Sequence, residues 1–204
     1  VPSSLPGQGG KLLCQKLLAD ARLYAFLLEC DKEMAAEAKA AGCECGGVLH
    51  GADFQRKARG GPANLGPEHD RRLSFCCNQD GCRGRVTPPS VRFLGRKVYL
   101  GAVVVRVSAM LNGPTRRRVA ELRELLGISE RTLRRWSAWW RATFAATPFW
   151  KAAAGRFAPP APTIDALPHS LLERFGGDAR DHLVAALRFL SPITITRSMC
   201  DMTA

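Results

Sequence analysis

Five of the eight cysteines fall between positions 43 and 82. The surrounding stretch is rich in glycine and arginine and has too little apolar matter to fold unaided. Cys43-Glu-Cys45-Gly-Gly supplies one close pair and Cys77-Asn-Gln-Asp-Gly-Cys82 a second. A tetrahedral zinc ion takes four thiolate or imidazole ligands, commonly from two tight turns that face each other. Gly46 and Gly81 stand beside the cysteines, where backbone N–H groups must approach sulfur. Two short candidate strands, Val48-Leu49-His50 and Arg72-Leu73-Ser74-Phe75, lie between the pairs. The order turn, strand, strand, turn predicts a zinc ribbon over 42–95, with structural Zn2+ on Cys43, Cys45, Cys77 and Cys82. The spacers of one and four residues depart from the usual two. Cys76 therefore remains an alternative to Cys77, and His50 a further candidate ligand. Redox-active thiols or inert buried cysteines are the competing readings. Cys14, Cys30 and Cys200 are read as core or surface residues.

On either side the pattern is helical. Lys11 to Ala41 contains no proline or glycine and stops at Gly42, so 11–41 is expected to be one N-terminal helix. Residues 1–10 read as a disordered terminus without the basic start of a signal peptide. Arg96 to Leu111 is apolar, either a helix or, through Val103-Val104-Val105, a strand, and it ends at Asn112-Gly113-Pro114. Its longest apolar run is interrupted by Arg106, short of the ~20 residues needed to span a membrane. A stiff Ala158-Pro-Pro-Ala-Pro162 segment and two modest helices, Leu167 to Phe175 and Asp178 to Leu190, fill 146–204. The last dozen residues are expected to be loose. The fold class expected is mainly α with a small β zinc ribbon and a trihelical helix-turn-helix core over 96–145.

The helix-turn-helix reading rests on Val119 to Trp140. Val119, Leu122 and Leu126 share a face at i, i+3, i+7, Gly127 breaks the helix, Ile128 fills the angle and Ser129 is a good N-cap. Leu133, Trp136 and Trp140 repeat that spacing in the second helix. At about 100° per residue the opposite face presents Arg131, Arg134, Arg135 and Ala138. Arginine pairs bidentately with guanine edges or with phosphate, so these four positions are candidate DNA contacts. Arg116, Arg117 and Arg118, at the start of the preceding helix, are placed for backbone phosphates.

Charge agrees with that expectation. There are 30 Lys+Arg against 18 Asp+Glu, a net of +12. The excess is concentrated in 54–106, with eleven bases against three acids, and in 115–141, with eight arginines against three acids. Such regional basicity favours a polyanionic partner over a generally solvated surface. No three-carboxylate metal constellation, His-x-Glu with Pro-Cys-x-x-Cys, phosphate loop or Ser/His/Asp arrangement stands out, so no catalytic residue is expected. Asp165, Asp178 and Asp181 read as caps or ion-pair partners. His69, His169 and His182 read as surface or satisfied histidines.

Cys43-x-Cys-Gly-Gly-x-Leu-His50, Arg72-Leu-Ser-Phe-Cys-Cys77, Gly81-Cys-Arg and Thr87-Pro-Pro-Ser-Val-Arg-Phe-Leu-Gly-Arg96, with the helical pair, resemble small bacterial transposase-like proteins. The pattern also resembles the DNA-binding portions of insertion-sequence transposases and resolvase-like regulators. The resemblance spans about half the chain, from Gly42 to Trp140. It implies a non-catalytic, cytoplasmic, nucleoid-associated protein that binds double-stranded DNA as an accessory or regulator of a mobile element. Its further partner would be a separately encoded transposase or a second copy of the chain. The alternatives are a redox-responsive zinc transcriptional regulator or the DNA-binding subunit of a separately encoded transposase.

Overall fold

The computed structural model describes residues 15–95, 97–111, 116–157 and 162–197; within these, the side chains of 118, 121, 122, 125, 126 and 197 are not described. The expectations for residues 1–10, Cys14, Arg96, the Asn112-Gly113-Pro114 stop, most of the proline-rich segment and Cys200 lie outside the described residues. So do the side chains of Arg118, Leu122 and Leu126. The chain is mixed, with helix predominating and a small antiparallel sheet. It divides into two compact units, one made of 1–101 with 188–204 and the other of 102–187.

In the first unit the long N-terminal helix is interrupted. Residues 15–19 are helical, but Asp20 is extended and its carboxylate accepts the Arg22 N–H, so α1 (Ala21–Ala40) starts afresh there. An aspartate satisfies an orphan N–H better at a helix start than mid-helix, which is why the 11–41 reading is corrected at this residue. Leu23, Leu27, Asp31 and Ala35 form one buried i, i+4 row, joined by Tyr24 and Leu28. Gly42, at φ +72°, ends the segment.

The sheet is larger than a two-strand ribbon. β1 (Leu49–Gly51), β4 (Phe75–Cys77), β5 (Arg85–Thr87) and β6 (Thr196–Arg197) pair antiparallel in the order β1-β4-β5-β6. Two short strands, β2 (Phe54–Gln55) and β3 (Arg71–Arg72), form a separate ribbon. The strand expected over 72–75 thus splits at Leu73-Ser74, where the Ser74 N–H turns to the Asp53 carboxylate. Thr196 and Arg197, read as part of a loose tail, instead pair with Thr87 and Val86. Hydrogen bonding along an otherwise open strand edge overrides the weak local signal there. Ala35 of α1, Leu49, Phe75 and Cys77 form a small core beneath the sheet.

Two arginines of this unit, Arg72 and Arg92, are internal. Arg92 and Asp31 are both fully buried and meet at 2.8 Å. Asp31 also accepts from the Ser90 hydroxyl at 2.6 Å and the Val91 N–H at 2.7 Å. Arg92 donates onward to the carbonyls of Glu68, His69 and Arg71. Arg72, also buried, donates to the carbonyls of Pro88 and Thr194. Burial pushes its pKa down to about 10, against the pull of Asp31, and it remains charged at neutral pH. Charge that reads as surface basicity in the sequence is here spent on joining loops.

The second unit is helical: α2 (Gly101–Met110, entered from the first unit), α3 (Arg116–Leu126), α4 (Glu130–Ala138), α5 (Pro148–Ala154), α6 (His169–Leu172) and α7 (Ala179–Leu190, whose end returns to the first unit). Val103-Val104-Val105 is helical, and all three are buried; burial outweighs their β preference. The helix that starts at Glu130 changes to π-type bonding at Trp139–Phe144. The wider turn lets Trp140 and Phe144, four residues apart, meet edge-on at 5.0 Å while both stay buried. Trp150 continues the stack at 5.2 Å from Phe144.

Candidate metal centre

Cys43 and Cys45 lie in the turn between α1 and β1; Cys77 ends β4, and Cys82 lies in the turn before β5. The register of β1 with β4 sets Leu49 opposite Cys77, so both turns emerge at the same end of the sheet. Their four sulfurs lie within 4.8 Å of one another. Cys43 Sγ is 3.7 Å from Cys82 Sγ, and Cys45 Sγ is 3.5 Å from Cys77 Sγ. A tetrahedron with metal–sulfur bonds of about 2.3 Å has edges of about 3.8 Å. The four cysteines could therefore hold a metal ion with little movement.

The backbone is arranged for sulfur. The Gln79 N–H points at Cys77 Sγ (3.4 Å) and the Gly84 N–H at Cys82 Sγ (3.3 Å). The Gly47 N–H makes the same i+2 contact with Cys45 and is the main cause of that thiol's lowered pKa, followed by Cys77. For Cys77, the Gln79 N–H acts to lower the pKa, but burial and the neighbouring thiols outweigh it and the shift is upward. Four adjacent sulfurs resist collective ionisation unless a cation neutralises them.

Gly46 (φ +80°) and Gly81 (φ +84°) are needed for their backbone angles, not for clearance, since a Cβ at either would meet nothing. Clearance matters at Gly47, where a Cβ would lie 2.5 Å from Cys77 Sγ and 3.3 Å from Cys45 Sγ. Asn78 joins the two turns: its side-chain Oδ1 accepts the Val48 N–H at 2.9 Å, and its backbone N–H donates to the Val48 carbonyl. Neither role has a spacing signature in the sequence.

The alternatives are resolved by the pleat. Cys76 points to the other sheet face, with its Sγ near the carbonyls of Cys77 and Arg83. His50, paired with Cys76 across β1 and β4, is exposed on that face. Neither belongs to the cluster. Cys30 is buried in α1, and the Arg188 guanidinium donates to its sulfur at 3.1 Å. Cys30, Cys43, Cys45, Cys76 and Cys77 are free thiols, whereas Cys82 is disulfide-bonded. Binding through all four sulfurs therefore requires Cys82 in its reduced form.

The candidate DNA contacts lie in the second unit. α3 and α4 are joined by residues 127–129, with Gly127 at φ +62°, Ile128 buried and the Ser129 hydroxyl accepting the Thr132 N–H at 3.3 Å. Leu133, Trp136 and Trp140 are buried, while Arg131, Arg134, Arg135 and Ala138 are exposed. Arg134 pairs with Glu130 one turn earlier. Arg116 and Arg117 are exposed at the start of α3.

Among the remaining candidates, Asp178 caps α7 by accepting the N–H groups of Arg180 and Asp181, and the Asp181 carboxylate accepts the Asp178 N–H in return. These bonds hold the Asp178 carboxyl below its usual range. His169 lies 3.5 Å from Glu173. His69 is buried, and its Nδ1 has no hydrogen-bond partner among the described residues. No described helix is long and apolar enough to cross a membrane. No family model, curated protein or solved structure matches the chain.

Proposed function

We propose that the chain is a sequence-specific DNA-binding protein, read through the exposed face of α4, with zinc as the structural ion of the four-cysteine centre. The observation that carries the reading is the division of α4 into a buried Leu133/Trp136 side and a solvent side of Arg131, Arg134 and Arg135. A helix fixed by its tryptophans presents those guanidinium groups as a unit, and a three-residue turn before it suits a helix-turn-helix. Zinc fits an all-thiolate set better than harder divalent cations do. The accessory role at a mobile element, beside a separately encoded transposase, follows from the motif resemblance.

Arg134→Ala or Arg135→Ala should weaken the preferred duplex by roughly 1–3 kcal/mol and relax base choice. Arg116→Ala or Arg117→Ala should weaken all duplexes alike and flatten the salt dependence by about one unit. The check is a titration against a selected duplex and its scrambled counterpart at several salt concentrations. Parent-like binding by both α4 variants at every salt would remove α4 as the reader.

A further inference from the structure

The proposed DNA contacts leave the basic segment of the first unit without a role, and two of its arginines, Arg72 and Arg92, are buried. What remains on the surface is ordered. From Gly51 to Arg59 exposure alternates residue by residue, with Gln55, Lys57 and Arg59 outward and Phe54, Arg56 and Ala58 half-buried. The run is pinned from both sides. The Arg56 N–H donates to the Asp70 carbonyl at 2.7 Å, the Arg59 N–H donates to the Val98 carbonyl, and the Leu100 N–H donates to the Arg59 carbonyl. The inward Arg56 guanidinium donates to the carbonyls of Gly95 and Lys97 and lies over the Phe93 ring. Across the β2–β3 pair, Arg71 stands directly opposite Gln55 and is exposed.

We infer that this edge, Gln55-x-Lys57-x-Arg59 with Arg71 beside it, is a second contact surface for a nucleic-acid backbone, independent of base sequence. The inference deepens the DNA-binding reading and rests on it. Side chains two apart on an extended run are spaced by about 6.4–6.8 Å, so the charges form a line and do not converge on one small anion. A line of fixed cations suits a continuous polyanion. Among the described residues no ion pair holds Lys57, Arg59 or Arg71, unlike Arg83 with Asp80 or Arg134 with Glu130. The nearby acids are otherwise engaged: the Asp53 carboxylate accepts the Ser74 N–H, Glu68 faces His69, and Asp70 is half-buried.

The test uses the full chain and random-sequence duplex and single-stranded oligonucleotides of equal length, titrated across a salt series. The Lys57→Ala/Arg59→Ala/Arg71→Ala variant is compared with Arg22→Ala/Lys39→Ala/Arg156→Ala, which removes the same charge from exposed positions elsewhere. The first triple should lower affinity roughly 10- to 100-fold and reduce the salt slope by about two to three units on duplex, while the second changes little. Equal effects of the two triples would overturn the inference, leaving the α4 reading intact if Arg134→Ala still loses discrimination. A parent chain that binds neither oligonucleotide would overturn both, whether or not it binds anionic vesicles or polyglutamate.

Discussion

Asp31→Ala should destabilise the first unit by about 3–5 kcal/mol, a large share of the ~5–15 kcal/mol that holds a typical domain. The Asp31 carboxylate is fully buried and accepts from Arg92, the Ser90 hydroxyl and the Val91 N–H. Removing it leaves the equally buried Arg92 guanidinium without its counter-charge and the 90–92 turn without its acceptor. Arg92 in turn holds the carbonyls of Glu68, His69 and Arg71, so the damage spreads from α1 to the loop that ends at β3. Arg92→Met alone should be similarly costly, yet the double variant should be less destabilised than the sum of the two, because the partner left unpaired accounts for much of each single effect. Denaturant unfolding of the four proteins measures this directly. A single-variant loss below about 1 kcal/mol would show that the pair is not the organising contact of this unit.

Removing the metal should have a larger but more local effect. Structural zinc sites contribute on the order of 10–16 kcal/mol of apparent binding energy at neutral pH. Among the described residues, the buried members of the small core at the sheet end it would hold are Ala35, Leu49, Phe75 and Cys77. Chelation of the reduced, metal-loaded chain should abolish amide protection through 42–51 and 75–87. Leu23, Leu27, Val91 and Phe93 are buried in segments outside the two turns that carry the four clustered cysteines, and α4 has its own buried Leu133 and Trp136. Both should keep their protection. Cys77→Ser should reproduce the chelated state, whereas Cys76→Ser, on the opposite sheet face, should not. Hydrogen exchange resolved by segment provides the comparison.

The parts of this architecture that the sequence makes legible are those set by local chemistry. Paired cysteines beside glycine mark the two turns, Ser129 marks the start of α4, and the i, i+3, i+7 spacing of Leu133, Trp136 and Trp140 marks its buried side. What is not legible depends on distant partners. Nothing near Thr196 announces that it will add a strand beside Thr87, because the signal is an unpaired edge more than a hundred residues away. Asp31 sits in a helix otherwise read as amphipathic, and only the approach of Arg92 makes it a core residue. Arg72 and Arg92 count toward net charge in the sequence but carry none of it to the surface. The π segment at Trp139–Phe144 follows from fitting crowded aromatic rings together, which helical periodicity does not encode.

Which of Cys76 and Cys77 joins the four-cysteine cluster also depends on structure, since alternation along β4 sends them to opposite faces. X-ray absorption at the zinc edge of the reduced, zinc-reconstituted chain tests the centre most directly. One zinc per chain with four sulfur neighbours at about 2.3 Å is the expected result. Sub-stoichiometric zinc, or a first coordination sphere containing nitrogen or oxygen, would contradict a centre built from Cys43, Cys45, Cys77 and Cys82.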